Sequence, residues 1–568
     1  MEKIKIKIMS LKKPTVIISV LLILVIGFFV FFKLLKGDNI LSGKTSYVAG
    51  NVAKIKLYDP DFKKAIDIAR GSKVQVKGKQ IINEKDNKKY NKIEYNKKEY
   101  LIDSDALVQA ATDVVLEKKL YVRTSLTIYE NALDSSILTM LKKGVEVEIQ
   151  GFDKIDSDGV VNRYKIKNGD VVGYAYGKYF VDNKEDSLKN YDEEGVYKIH
   201  SSRGNTQGGG AGANLDFYPY AKPKFEDNIM PTEVRSLYLN NGVLGNIDAY
   251  ITLAKESNIN AFVVDVKDNT SPGYTSAVMK QLSPTNYAKA RNSFDKYQKA
   301  IKKLKDEGFY VIGRITVFKD SYYIKDHPEA AIMDKSTGEP FNHNGSYWPT
   351  AFSREVWEFN VELAKEAVKE MGFNEIQFDY VRFPDRTYKL EKDGSMDMRN
   401  TYDEEKAQAI QRFLMYACDE IHQLGAYVSA DVFGESAHNY VTGYGQYWGA
   451  ISNVVDVISA MPYPDHFNAY EYDFDEVVWT VPYKLLNFWG TNYAAKRQIE
   501  VPTPARVRTW IQTYDTIRSP YIVYDANKIA DQIKGLYDAG LNGGYMTWNS
   551  SSSLTKYTSL IPAFKEEY

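Results

Sequence analysis

Apolar and polar positions follow two different rhythms along this chain, and the change of rhythm divides it. In Lys73-Val74-Gln75-Val76-Lys77 the alternation is that of a half-buried strand. Short β-prone runs such as Ile81-Ile82 and Tyr100-Leu101-Ile102 extend it, predicting a small β domain over residues 42–110. Leu126-Thr127-Ile128-Tyr129, Val145-Glu146-Val147-Glu148-Ile149 and Gly173-Tyr174-Ala175-Tyr176 predict a second over residues 111–184. Periodicity then lapses through residues 185–230, where Ser201-Ser202-Arg203-Gly204 and Gly208-Gly209-Gly210-Ala211-Gly212 read as a flexible linker.

From residue 231 to 568 apolar strands alternate with helical stretches. Strands are predicted at 234–239, 261–266, 310–316, 375–380, 427–431, 455–461, 509–514 and 544–548, and helices at 294–307, 356–371 and 404–424. Eight such repeats predict an α/β fold of the (β/α)8 or TIM-barrel class. An open doubly wound sheet would need a G-x-G-x-x-G turn after its first strand, and Asn240-Asn241-Gly242-Val243 is no such turn.

The amino terminus adds a membrane expectation. Residues 1–13 carry five lysines against one glutamate, and residues 15–32 are uncharged and just long enough to span a bilayer. Residues 1–14 are therefore expected in the cytoplasm, 15–36 as a single-pass transmembrane helix, and the bulk of the chain outside the cell. Bulky Phe28 to Phe32 and the lack of a small-x-small site argue against a cleaved signal.

Strand ends supply the candidate chemistry, because a barrel presents its reactive groups where strands finish. Asp379 closes Gln377-Phe378-Asp379 and Asp431 closes Ser429-Ala430-Asp431, each pointing with the residue two before it. Any one strand-end Asp is as readily a helix cap; two facing one site are the equipment of glycoside hydrolysis. Asp379 is assigned nucleophile or base and Asp431 acid, with Glu435 as the substitute acid. Asp265 and Lys267 share a strand phase, and Asp268 follows them. Either of the first two serves a ligand or an ion pair between strands. Arg314 is placed to bind substrate or to hold Asp379 ionised. Tyr380, Arg382, Tyr463, His466, Trp510, Trp548 and Asn549 complete the substrate-binding set. The aromatics serve as sugar platforms or simply as core.

Two resemblances bear on this reading. Tyr121-Val122-Arg123-Thr124, Leu141-Lys142-Lys143-Gly144-Val145-Glu146-Val147 and Gly169-Asp170-Val171-Val172-Gly173-Tyr174 resemble bacterial Src-homology-3-like domains, and residues 42–110 do so more weakly. Phe262 to Asp268, Gly313-Arg314-Ile315, Gln377 to Pro384, Ser429 to Gly434 and Gly543 to Asn549 resemble a poorly characterised bacterial family of TIM-barrel glycoside hydrolase domains. That resemblance implies a sugar-active barrel and assigns no acid or nucleophile.

Composition narrows the alternatives. Net charge of −1 over 568 residues gives no electrostatic case for nucleic acid. The lone Cys418 excludes an intrachain disulfide and has no evident base beside it. The six histidines form no H-x-x-x-H or H-E-x-x-H, so neither a metal nor another cofactor is expected. Residues 42–107 hold 14 Lys and one Arg against nine acidic groups, which suits polyanions of a cell wall or a merely solvated surface. The sequence thus points to an exported, membrane-anchored hydrolase of cell-wall or exopolysaccharide glycan. A catalytically silent glycan-binding scaffold is the competing reading.

Overall fold

The computed structural model describes residues 44–191, 195–204 and 207–568. The expected transmembrane helix at 15–36 lies outside them. Among the described residues no helix is long and apolar enough to cross a membrane. The described residues divide into two compact units, one drawn from residues 44–120 and 147–180, the other from residues 121–146 and 181–568.

The first unit is all β. Its leading sheet has seven antiparallel strands, and alternation sets which side chains fill it: Val74 and Val76 are buried while Lys73, Gln75 and Lys77 face out. Val48, Leu57, Ile68, Ile93 and Ile102 complete that core. Strands Glu146–Phe152, Arg163–Asn168 and Val171–Tyr176 pair antiparallel in sequence order. Buried Arg70 joins the two sets, donating to Gly50 O (3.0 Å), Gly159 O (3.2 Å) and Glu117 Oε1 (2.9 Å).

The second unit is mixed α/β around a nearly closed parallel sheet. Its barrel strands are β1 (Val234–Leu239), β2 (Ala261–Lys267), β3 (Tyr310–Thr316), β4 (Glu375–Asp379), β5 (Tyr427–Phe433), β6 (Val457–Met461), β7 (Arg506–Val507), β8 (Thr509–Gln512) and β9 (Gly544–Trp548). Their order is β7-β6-β5-β4-β3-β2-β1-β9-β8. β7 pairs with β6 and β8 with β9, so only Arg508 separates the sheet's two edges along the chain. The expected seventh strand is therefore two short ones. At the amino-terminal end of the barrel Arg508 donates to Glu375 (2.8 Å), and Tyr310 O–H donates to the same carboxylate (3.0 Å). Val263, Ile312 and Met546 belong to the buried apolar cluster, which Tyr238, Tyr463 and Trp510 share. Residues 121–146 contribute a hairpin to this unit, where Tyr416 O–H donates to Ser135 O (2.8 Å).

Within the segment expected to be a flexible linker, the glycine run at 208–212 is packed. A Cβ on Gly209 would lie 1.9 Å from Thr442 O, one on Gly210 2.6 Å from Glu405 Oε2, and one on Gly212 2.3 Å from His200 O. The glycines are there because the backbone wraps the start of helix Lys406–His422: Gly209 O accepts from Ala407 N–H (3.0 Å), and Ala211 N–H donates to Glu405 (3.0 Å). Buried His200 stacks on Phe217 at 3.8 Å, and Phe217 packs with Leu215, Tyr447 and Ala450. Gly209→Ala will thus destabilise the barrel unit by about 3 kcal/mol, the upper end of overpacking costs, since a backbone carbonyl has little freedom to yield. Urea titration followed by tryptophan fluorescence measures this; an unchanged midpoint would restore the flexible-linker reading.

Candidate active site

A cavity of about 690 Å³ opens at the carboxyl ends of the barrel strands, within the range of small-molecule sites. Arg314 on β3 organises its floor and is 2% exposed. Its Nη1 donates to Asp265 Oδ1 (2.7 Å) and Asp268 Oδ1 (3.3 Å), while Nε (3.1 Å) and Nη2 (2.5 Å) both reach Asp379 Oδ2. Strand register dictates this meeting: Asp265 pairs with Arg314 across β2 and β3, and Arg314 with Gln377 across β3 and β4, two residues before Asp379. A planar guanidinium with donors on separate edges can serve several carboxylates at once.

Asp379 sits where β4 breaks. Tyr380 adopts φ +50°, a left-handed conformation uncommon for an aromatic residue, and its N–H donates to Asp379 Oδ1 (2.6 Å). Both carboxylate oxygens are thereby held while the group lines the cavity. One strand over, register pairs Gln377 with Ser429 and Phe378 with Ala430, leading to Asp431 beside Asp379. Asp431 is buried below the lining residues. Its Oδ1 accepts from Trp510 Nε1–H (2.7 Å), and Oδ2 has no hydrogen-bond partner among the described residues. Burial, reinforced by the neighbouring Asp379 carboxylate, pushes its pKa well above the ordinary carboxylate range, against the opposing Trp510 bond. The shift favours the protonated form of Asp431, and the unbonded Oδ2 is free to carry that proton.

Asp265 also rises, to about 6: burial dominates, Arg314 opposes it, and Asp268 adds to the rise. Tyr238 O–H donates to Asp265 Oδ2 (2.5 Å). Because the folded pKa lies above the unfolded value of about 3.9, the folded state holds this proton more tightly. The associated stability is complete below pH 4 and lost as pH rises through about 6. Asp265→Asn should flatten the fall of unfolding free energy between those limits by up to about 3 kcal/mol, two pKa units' worth. Urea titrations from pH 4 to 7 test it, and equal slopes in both proteins would contradict the assignment.

Of the residues expected from sequence, the cavity brings together Asp265, Arg314, Asp379, Tyr380, Arg382, Tyr463, His466, Trp510 and Trp548. Four do not line it: Asp431, which is buried, and Lys267, Glu435 and Asn549, which lie elsewhere. The β2–β3 register shifts between Asp265 and Lys267, which turns Lys267 to the opposite face, where it pairs with buried Asp320 (2.6 Å). Glu435 does not line the cavity; it accepts from Tyr440 and Tyr444 O–H, both at 2.9 Å. Asn549 is spent on backbone, donating to Thr513 O (3.0 Å) and accepting from Ser553 N–H (3.2 Å). Trp510 is floor rather than platform, being 1% exposed, whereas Trp548 is half-buried with its ring perpendicular to that of Trp510. Arg382 lies against the rings of Trp348 and Phe433 (4.9 and 4.5 Å) and pairs with Asp385 (3.3 Å). Tyr238 was missed, although the two-residue phase of Val234, Ser236 and Tyr238 marks it as inward-facing at a strand end.

The family model described as "Putative glycosyl hydrolase domain" matches residues 236–554, more than half of the chain. Among solved structures, a hypothetical protein from Ruminiclostridium thermocellum is 33% identical over 34% of this chain and 97% of its own, with a TM-score of 0.29. The PgaB (BpsB) glycoside hydrolase domain of Bordetella bronchiseptica is 12% identical over 59% of this chain and 100% of its own, with a TM-score of 0.44. An exo-β-N-acetylglucosaminidase from Vibrio harveyi is 12% identical over 61% and 55%, with a TM-score of 0.37. No curated protein matches the chain.

Proposed function

Because the chain belongs to the putative glycosyl hydrolase family, we propose that this cavity cleaves glycosidic bonds in a cell-wall or exopolysaccharide glycan. The observation that carries the reading is the pair of unlike carboxyl groups on adjacent strands: Asp379 held by the Arg314 guanidinium, and Asp431 pushed up by burial with one oxygen unbonded. Glycoside hydrolysis needs that division of labour, one group attacking or activating water while the other protonates the departing oxygen. Asp379 takes the first role and Asp431 the second. Tyr380, Tyr463 and Trp548 supply aromatic surface for sugar rings.

A second reading of the acid rests on Asp265, which lines the cavity and whose pKa rises to about 6. Leaving-group chemistry separates the two. A 2,4-dinitrophenyl glycoside departs without protonation, so loss of the true acid slows an alkyl glycoside far more than this one. Asp431→Asn should lower alkyl-glycoside turnover by about a hundredfold or more and spare the dinitrophenyl substrate. The same pattern in Asp265→Asn, with Asp431→Asn unaffected, would move the acid to Asp265.

The proposal extends to location, with residues 15–32 as a membrane anchor and the barrel outside, supported by the lysine-flanked apolar run. Protease added to wall-less cells should digest the large fragment and spare the amino-terminal lysines. A soluble cytoplasmic pool of full-length protein would sink this part.

A further inference from the structure

The cavity has two kinds of wall. The end of β5 and the loops after β4 and β6 bring Phe433, Tyr380 and Tyr463, whereas the loops after β1, β2 and β9 bring Asn240, Gly242, Asn269, Thr270, Ser271 and Ser550. In the strand order β6-β5-β4-β3-β2-β1-β9 the two groups occupy different arcs of the rim. Into the polar arc comes Arg291, carried there by the chain after the short helix Pro284–Ala288.

The charge on Arg291 is unlike the other arginines of the cavity. Arg314 is engaged by three carboxylates and Arg382 by Asp385. Arg291 forms no ion pair among the described residues, and it is exposed to the cavity mouth. Its backbone, by contrast, is tied down. Arg291 N–H donates to Pro272 O (2.9 Å), and buried Asn292 donates from Nδ2 to Asn241 O and Gly273 O, both at 3.1 Å. Buried Asn241 in turn donates to Ser271 O (2.8 Å), so the loops after β1 and β2 and the Arg291 segment are clipped together.

We propose that Arg291 reads an anionic substituent, carboxylate or phosphate, on the sugar bound in the cavity. The inference rests on the glycan reading above and names its substrate class as an acidic glycan. A sugar lying between the two arcs meets, on the side of β1, β2 and β9, neutral hydrogen-bonding groups, the rings of Tyr238 and Trp548, and the carboxylates of Asp265 and Asp268, both already paired with Arg314. Arg291 is the lining cation on that side that forms no ion pair among the described residues. A guanidinium fork matches the oxygens of either anion in a way a lysine ammonium does not.

The test uses the full chain carrying Asp379→Asn, so that ligands are bound and not cut. The probes are oligogalacturonate, its carboxyl-reduced neutral form, and that neutral form phosphorylated, followed by tryptophan fluorescence. A charged form should bind about tenfold more tightly than the neutral one, the size of one good charge-assisted contact. Adding Arg291→Gln should bring the ratio near one, and Arg291→Lys should leave it between the two. Whichever anion gives the larger ratio identifies the substituent. Neutral oligosaccharide binding with no charge preference, or a preference that survives Arg291→Gln, overturns this inference alone. Failure of every oligosaccharide to bind overturns the glycan reading with it.

Discussion

Replacing Arg314 with Met will destabilise the barrel unit by about 3–5 kcal/mol at pH 7, the cost of stripping one partner from a buried ionic cluster. Asp265, Asp268 and Asp379 all depend on this guanidinium, which is 2% exposed, and among the described residues no second cation contacts all three. Methionine matches the aliphatic stem, so the loss is electrostatic rather than a cavity effect. Stability should partly return as pH falls, because protonation of Asp265, whose pKa burial raises to about 6, removes one of the three negative charges. All seven tryptophans lie between residues 348 and 548, inside the barrel unit, so their fluorescence reports on that unit alone in urea titrations at pH 5 and 7. Wild-type stability at pH 7 would mean that Arg314 is not the keystone of the floor.

Asp379→Asn will act in the opposite sense, on rate and not on fold. The amide keeps the shape, and its oxygen can still accept from Arg314 Nε and Nη2, while its nitrogen loses the bond that Tyr380 N–H makes to the carboxylate. Asp265 and Asp268 retain their own bonds to that guanidinium. Stability should therefore fall by no more than about 2 kcal/mol, the cost of that one hydrogen bond. The amide can neither attack an anomeric carbon nor take a proton from water, so kcat should fall by about a thousandfold with little change in KM. Steady-state kinetics paired with thermal melts decides it. A large drop in melting temperature with proportionate loss of activity would make Asp379 a structural residue.

Much of this site was legible because strands obey a strict period of two. Gln377 and Asp379, Ser429 and Asp431, and Arg314 beside Asp379 all follow from counting alternate residues. The same rule misplaced Lys267, since a single irregularity between Asp265 and Lys267 reverses every phase beyond it, and no residue there marks the bulge. The glycine run misled for a related reason. Glycine serves a mobile chain and a crowded one equally, and only the position of Thr442 O shows which applies at Gly209. Arg291 carried no signal, because a loop residue reaches a cavity through tertiary folding that local pattern does not encode.

The central claim is that this cavity breaks glycosidic bonds. Its most direct test is the release of new reducing ends from cell-wall and exopolysaccharide preparations by the wild-type chain, run beside Asp379→Asn and Asp431→Asn. The account predicts reducing ends that accumulate catalytically with wild type and fall to background with both variants, while each variant still binds the glycan. A glycan that binds in the cavity and yields no reducing ends at any enzyme concentration, or one cut at equal rates by all three proteins, would contradict it.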